Sequence, residues 1–395
     1  MSVKAFPIPK IDFITQKTCN WATTYKFNDY LIKFVTMNKK VGNILKYSLS
    51  ILLAVALLYF AFKDVDWSEF WTALKACRWE FVVLSMAFGT LAFFCRAMRW
   101  RQLLLPIDKS TSGLTCFNAI NISYLVNMVL PRVGEIVRCG YITAHSKKVQ
   151  DDESGQPHRL ATFDKVLGTA ALDRMVDIIM LLLFLFTFLL FTWKRFGGFF
   201  SEKIVGAASG SVTAAKVTVA VGVVVFAVLF IWMIIRYADR WKPLGKIKDF
   251  CVGLGQGFVS CLKMEKAWQF FAWSLAIWIC YWMMSATILW AVQGIDISSV
   301  PSDMASAVSL VNGLNLTDAM FLMLAGSLAS IVPVPGGFGA FHFIVAGALS
   351  YTYGIPFGFG MIFATLSHES QAINQIIWGM ISYISEHFRK NNNEV

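Results

Sequence analysis

Asn127-Met-Val-Leu-Pro131-Arg132-Val-Gly134-Glu135-Ile-Val-Arg138 breaks one long apolar region of this chain. Pro333-Val-Pro335-Gly336-Gly337-Phe-Gly339-Ala-Phe-His342 breaks another. Hydrocarbon offers backbone amides no partners, so Pro and Gly clusters persist at membrane depth mainly where protein or a wet cavity surrounds them. Two such breaks, one in each half, form the pattern of a binding site near the bilayer midplane. Composition agrees. The 395 residues are 57% hydrophobic and 15% charged, with mean hydropathy +0.59. Soluble domains hold about 45–50% apolar and about 25% charged residues. The fold class read from this is all-α: a polytopic membrane helix bundle with two re-entrant hairpins in an inverted-repeat arrangement.

About 20 apolar residues cross a bilayer. Stretches that meet this are 44–62, 80–104, 165–192, 212–236, 268–292 and 357–386, with the interrupted regions 114–145 and 318–354 between them. Cations assign the sides. Residues 1–43 carry seven lysines and no signal-peptide pattern, and read as a basic cytoplasmic or interfacial segment ahead of a transmembrane domain at 44–390. The run 236–266 is also basic, hence cytoplasmic. The segment 293–317 holds Asp296 and Asp303 without Lys or Arg, hence external. Arg389 and Lys390 return the C-terminus to the cytoplasm. Region 114–145 has cations on both flanks and region 318–354 has none, so the two hairpins dip in from opposite faces. In the 63–80 link, Trp67, Phe70, Trp71 and Leu74 repeat at helical spacing and read as an interfacial helix. The location read is the cell (inner, cytoplasmic) membrane, multi-pass, with both termini cytoplasmic.

Eight scattered cysteines form no CxxC or Cys/His pattern, so neither a disulfide framework nor a metal site is expected. The +11 net charge lies beside apolar spans, where membrane orientation and anionic lipid explain it better than nucleic acid. His368-Glu369 resembles the start of HExxH, but Ala372 stands where the second His belongs. No nucleotide-binding loop, hydrolase elbow or cofactor fingerprint is visible, and no cofactor is expected.

Ionisable residues inside spans are costly, about 2.5–3.5 kcal/mol each on insertion scales, and mark candidate sites. Glu135 and Arg138 begin the limb after Pro131, where free helix N-terminal amides would favour phosphate, with Arg132 adding charge. The alternative is that Glu135 pairs with an arginine and only holds the elbow. Arg174 and Asp177, three apart, share a helix face; Arg174 can reach Glu135, and Asp173 is the lesser candidate. Arg96 is the deepest of the Arg96, Arg99 and Arg101 set, of which Arg99 and Arg101 read mainly as snorkelling cations. Gly336, Gly337 and Gly339 allow a tight turn with positive φ, whose amides could form an anion nest or merely pack. His342 follows it. In the last span Ser367, Gln371, Asn374 and Trp378 share a polar face beside His368 and Glu369. The candidate substrate-binding set is therefore Arg96, Asn127, Arg132, Glu135, Arg138, Arg174, Asp177, Gly336, Gly337, Gly339, His342, His368, Glu369 and Gln371.

Four motifs in order carry a resemblance: Cys95-Arg96-Ala-Met-Arg99-Trp100-Arg-Gln-Leu-Leu, Asn127 through Arg138, Asp173-Arg174-Met-Val-Asp177, and Pro333 through Gly339. Over about 44–386 the chain resembles the lysylphosphatidylglycerol synthase transmembrane-region family, the flippase-like membrane part of the multiple peptide resistance factor. His342 and Asp173 stand where that family often has Glu. The resemblance implies a helix bundle with two re-entrant elements and lipid translocation between leaflets. No aminoacyltransferase-sized domain is visible. The expectation is thus a non-enzymatic transporter for a polar or anionic-headgroup lipid, with membrane lipid as partner and homo-oligomerisation left open. The alternative is an intramembrane transferase acting on lipid-linked substrates.

Overall fold

A computed structural model of the chain describes residues 48–49, 51–63, 65–130, 133–150, 157–199, 266–296, 298, 302–329, 332 and 334–392. Segment 1–43, the expected span 212–236, nearly all of the basic run 236–266, and Pro131, Arg132 and Pro333 lie outside the described residues. The elements belong to the compact unit Ser50–Val395. In chain order they are helices α1 (Ile51–Phe62), α2 (Trp67–Ala76), α3 (Trp79–Leu104), α4 (Gly113–Val129) and α5 (Val133–His145). A ribbon of β1 (Lys148–Gln150) and β2 (Pro157–Arg159) follows. Then come α6 (Phe163–Phe199), α7 (Ala267–Gln293), α8 (Ser302–Asn312), α9 (Leu316–Ala329), a 3-10 turn (Pro335–Gly337), α10 (Ala340–Tyr353) and α11 (Phe357–Asn392).

The fold is helical, as expected, apart from the antiparallel β1–β2 pair, which registers Lys148 with Arg159. Among the described residues three helices are long and apolar enough to cross a membrane: Trp79–Leu104, Phe163–Trp193 and Ala267–Gln293. A fourth candidate is the pair Met304–Asn312 and Leu316–Ala329, bent by 107°. The helix α8, which the sequence reading did not mark, occupies much of the segment 293–317. The last stretch, read as a span over 357–386, forms one 36-residue helix, but its polar residues keep it out of the apolar set. Of 44–62, the described helix Ile51–Phe62 is apolar but shorter than a span.

Local chemistry explains the element ends. Asp66 caps α2, its Oδ1 accepting from the backbone N–H of Ser68 at 2.8 Å and Glu69 at 3.2 Å. Phe70 and Leu74 of α2 turn into the core while Trp67 and Trp71 stay half exposed, so the four do not form one interfacial face. Leu130 is extended (φ −123°, ψ 98°), as the residue before a proline must be, and this stops α4 at Val129. The backbone N–H of Gly134 donates to Asn127 Oδ1 at 2.8 Å. A Cβ on Gly134 would lie 2.1 Å from the Ser123 carbonyl oxygen, so only glycine permits this approach of α5 to α4.

One large core gathers Val82, Ile288, Leu289, Phe321, Val345 and Phe363 from α3, α7, α9, α10 and α11. A second, around Trp100, Ile120, Ile142 and Val166, joins α3, α4, α5 and α6. The polar face foreseen on α11 packs on α3. Gln371 Nε2 donates to Ser85 Oγ at 3.2 Å, Asn374 Nδ2 to the Met86 carbonyl at 3.0 Å, and Trp378 Nε1 to Thr90 Oγ1 at 2.9 Å.

Candidate functional site

Two polar clusters lie inside the bundle. The first joins α3, α5, α6 and α7. Arg99, buried completely, donates from Nε and Nη2 to Asp173 Oδ1 at 3.0 and 2.7 Å, and from Nη2 to Asp177 Oδ1 at 2.6 Å. Arg96 donates to Asp177 Oδ2 at 2.7 Å and to the Tyr281 hydroxyl at 2.8 Å. Arg138 reaches Asp173 Oδ2 at 3.2 Å and Glu135 Oε2 at 2.7 Å, its guanidinium 4.5 Å over the Trp100 ring. Arg174 pairs with Glu135, its Nε at 2.8 Å from Oε1, and stands 3.5 Å from Asp177. Four arginines thus face three carboxylates.

Exposure grades this network. Arg99 and Asp173 are sealed, whereas the Arg174 side chain is 40% exposed and that of Glu135 25%. Arg99 Nη1 and Arg138 Nε have no hydrogen-bond partner although both are buried. A buried donor without an acceptor is costly, and with an excess arginine the site favours an added anion.

The second cluster joins α10, α11 and the glycine turn. Gly336, Gly337 and Gly339 all have positive φ (58°, 81° and 79°), as the sequence requires. Two of the amides read as part of a possible nest are spent within the turn. The backbone N–H groups of Gly337 and Phe338 donate back to Val334 and Pro335. What meets the site is a carbonyl: Gly336 O lies 2.9 Å from His368 Nε2. His368 Nδ1 is 3.1 Å from Glu369 Oε1, and His342 Nε2 is 3.2 Å from the same oxygen. His342 is 1% exposed and neither ring nitrogen makes a hydrogen bond.

A groove of about 180 Å³ opens beside this cluster, lined by Met128 of α4, Met284 of α7, Gly336, Phe341, His368 and Gln375 among others. The end of α4 also packs on the glycine turn. The residues flanking the two sequence breaks therefore meet, although Glu135 itself bonds only to arginines of the first cluster.

Of the candidate residues, Arg96, Glu135, Arg138, Arg174 and Asp177 come together in the first cluster, and Gly336, His342, His368 and Glu369 in the second. Gly337 stands beside His368, while Gly339 packs on α1: a Cβ there would lie 2.7 Å from Leu57 Cβ. Asn127 and Gln371 make structural hydrogen bonds. Asn127 takes the Gly134 amide that had been read as free for phosphate. Arg132 is outside the described residues. Sequence reasoning undervalued Arg99 and Asp173, which form the centre. The available signal was spacing: Arg96 and Arg99 three apart on α3 match Asp173 and Asp177 four apart on α6. Arg101 is structural, donating to the Thr111 carbonyl at 2.9 Å. A further pair, buried Asp318 with the half-exposed Arg195 at 2.9 Å and with the Tyr353 hydroxyl at 2.8 Å, was not foreseen.

Three helices long and apolar enough to cross a bilayer, around an ion network whose centre is sealed, point to a membrane protein. The profile of the family described as lysylphosphatidylglycerol synthase TM region matches residues 47–379, and the chain belongs to that family. Its function is therefore connected with membrane lipid. The same description names a synthase, an enzymatic association, which overturns the expectation that the chain is not an enzyme. No curated protein and no solved structure matches the chain.

Proposed function

We propose that the chain takes up the phosphate-bearing headgroup of a membrane lipid at the first cluster and passes it between leaflets, its tails remaining in the bilayer. The observation that carries this is the excess of arginine over carboxylate, with the unpartnered donors Arg99 Nη1 and Arg138 Nε. Position supports it. Asp177 lies near the middle of Phe163–Trp193, Tyr281 near the middle of Ala267–Gln293, and Arg96 about 7 Å, at 1.5 Å per residue, from the middle of α3. Charges at that depth are functional by default. Arg174 and Glu135 form the exposed rim that first meets the headgroup. The breaks at 130–132 and 330–339 serve as re-entrant elbows of an inverted repeat whose flanks meet across the Met128–Gly336 groove.

Reconstitution into liposomes with labelled phospholipids and polyprenyl phosphates tests this. The protein is expected to accelerate leaflet exchange of an anionic lipid. Arg174→Gln, which removes a charge-assisted contact worth about 1.5–3 kcal/mol, is expected to weaken lipid capture about 10–100-fold. No acceleration over empty vesicles with any lipid tried overturns the reading.

The family's description favours a second reading, an intramembrane transferase acting on lipid-linked substrates with a buried carboxylate or His368 as base. Mass spectrometry of membrane lipids after overexpression separates the two. A lipid of changed mass that disappears in His368→Gln supports transfer, whereas an unchanged lipidome argues against it.

A further inference from the structure

We propose that His342, His368 and Glu369 form a binding site for a divalent transition-metal ion, with Zn2+ best suited to the donors. The three residues come from two helices, and their candidate ligand atoms all lie within 4.8 Å of one another. Four ligands at about 2.0–2.1 Å in a tetrahedron stand roughly 3.3 Å apart. His342 Nε2 to Glu369 Oε1 is 3.2 Å, and His368 Nδ1 to the same oxygen is 3.1 Å, so two edges already have that length.

The histidines explain themselves better with an ion than without. His368 Nε2 faces the Gly336 carbonyl at 2.9 Å, an acceptor that keeps the proton on Nε2. This leaves the Nδ1 lone pair aimed at a carboxylate oxygen. Such an outer carbonyl holding the far ring nitrogen is the usual support of a metal-bound imidazole. His342 is buried against the rings of Phe62 and Phe341, and its Nε2 faces Glu369 Oε1 at 3.2 Å without hydrogen-bond geometry, a placement that an ion held between nitrogen and carboxylate would satisfy. Two imidazoles and one carboxylate leave a fourth position for water or an anionic oxygen, as in open zinc sites. The Glu369 side chain, 37% exposed, gives the ion a way in. The ligands stand 26 positions apart in sequence, so no ligand spacing reveals them.

The full chain, purified in detergent and stripped with a chelator, is titrated with Co2+ and, separately, with Zn2+. One equivalent of either ion is expected, the cobalt form showing the visible bands of a tetrahedral site without a thiolate charge-transfer band. His342→Phe, which keeps an aromatic ring but no ligand atom, and His368→Gln are each expected to lower affinity at least about 100-fold, since loss of an outer-shell partner alone costs about 10–100-fold. Gln375→Ala, in the groove but away from the donors, is expected to retain the ion. Should the histidine variants fail to fold, the wild-type cobalt spectrum and a Zn2+-dependent rise in its melting midpoint decide. No stoichiometric uptake by the wild type, uptake equal in the histidine variants, or a thiolate band overturns the proposal. Metal uptake is read without lipid, so its failure is distinct from failure of lipid transport.

Discussion

Asp173 is the residue on which the first cluster turns. It is 1% exposed and receives both Arg99 and Arg138, while its neighbours Arg174 and Asp177 reach the accessible rim. Removing one partner of a buried pair leaves the other charge uncompensated, which costs about 3–5 kcal/mol. Asp173→Asn is therefore expected to lose folded protein, read as a lower detergent-solubilised melting midpoint. Asp173→Leu combined with Arg99→Leu is expected to recover much of that loss, because buried pairs replaced by apolar residues are often neutral or better. An Asp173→Asn protein as stable as wild type would show that the network is hydrated. The prominence of Asp173 was hard to read from sequence because burial depends on which neighbours face it. Asp173 lies nearer the polar end of its helix than Asp177, and only packing against Arg99 of α3 and Arg138 of α5 reverses the order.

At the scale of elements, the helices follow from apolar length, and four of the six stretches expected to span contain described helices close to the predicted bounds. Breaks too were legible, because Pro131 dictates the extended Leu130 and glycines dictate the positive-φ turn. What each break presents was not, since a nest of amides and a turn offering its carbonyl have the same glycines. The helix α8 was hidden because Ser302–Asn312 is short and only weakly apolar. The α3–α4 connection shows a further tie that sequence could not reveal. Asp108, buried between the helices, accepts from the Ser110 hydroxyl at 2.5 Å, the Ser146 hydroxyl at 2.6 Å and the backbone N–H groups of Ser110 and Lys147. Burial pushes its carboxyl pKa up, but these donors outweigh burial and hold it down at about 2. A lowered folded pKa adds stability that is complete above the ordinary carboxylate value of about 3.9 and is lost as pH falls through about 2. Asp108→Asn is thus expected to lower stability by about 1–3 kcal/mol near neutral pH. The gap between variant and wild type should narrow as pH falls from about 4 toward about 2. A gap that stays constant over that window would remove Asp108 ionisation as its cause.

For the whole molecule, the question is whether the two clusters act as one device. They are built on different helix sets, the arginine network on α3, α5, α6 and α7 and the histidine cluster on α10 and α11, and His368 and Gly336 of the second line the groove where the end of α4 meets the glycine turn, whereas no residue of the first does. If the proposed passage of a headgroup between leaflets runs through that groove, Met128 on α4 and Met284 on α7, which line it from different helices, should separate during the cycle. The test pairs Met128→Cys with Met284→Cys in a chain whose Cys19, Cys251 and Cys261 are replaced by Ser. The buried thiols of Cys77, Cys95, Cys116, Cys139 and Cys280 are shielded from reagents and can stay. Bridging the new pair with a short cleavable bis-thiol reagent is expected to return lipid exchange to the rate of empty vesicles, and cleaving the bridge to restore it. Zn2+ stoichiometry should be unchanged throughout, because neither substituted residue belongs to the donor set. Complete bridging with undiminished exchange would mean that the two breaks are static packing elbows. The lipid route would then have to run along the exposed Arg174–Glu135 rim without the groove.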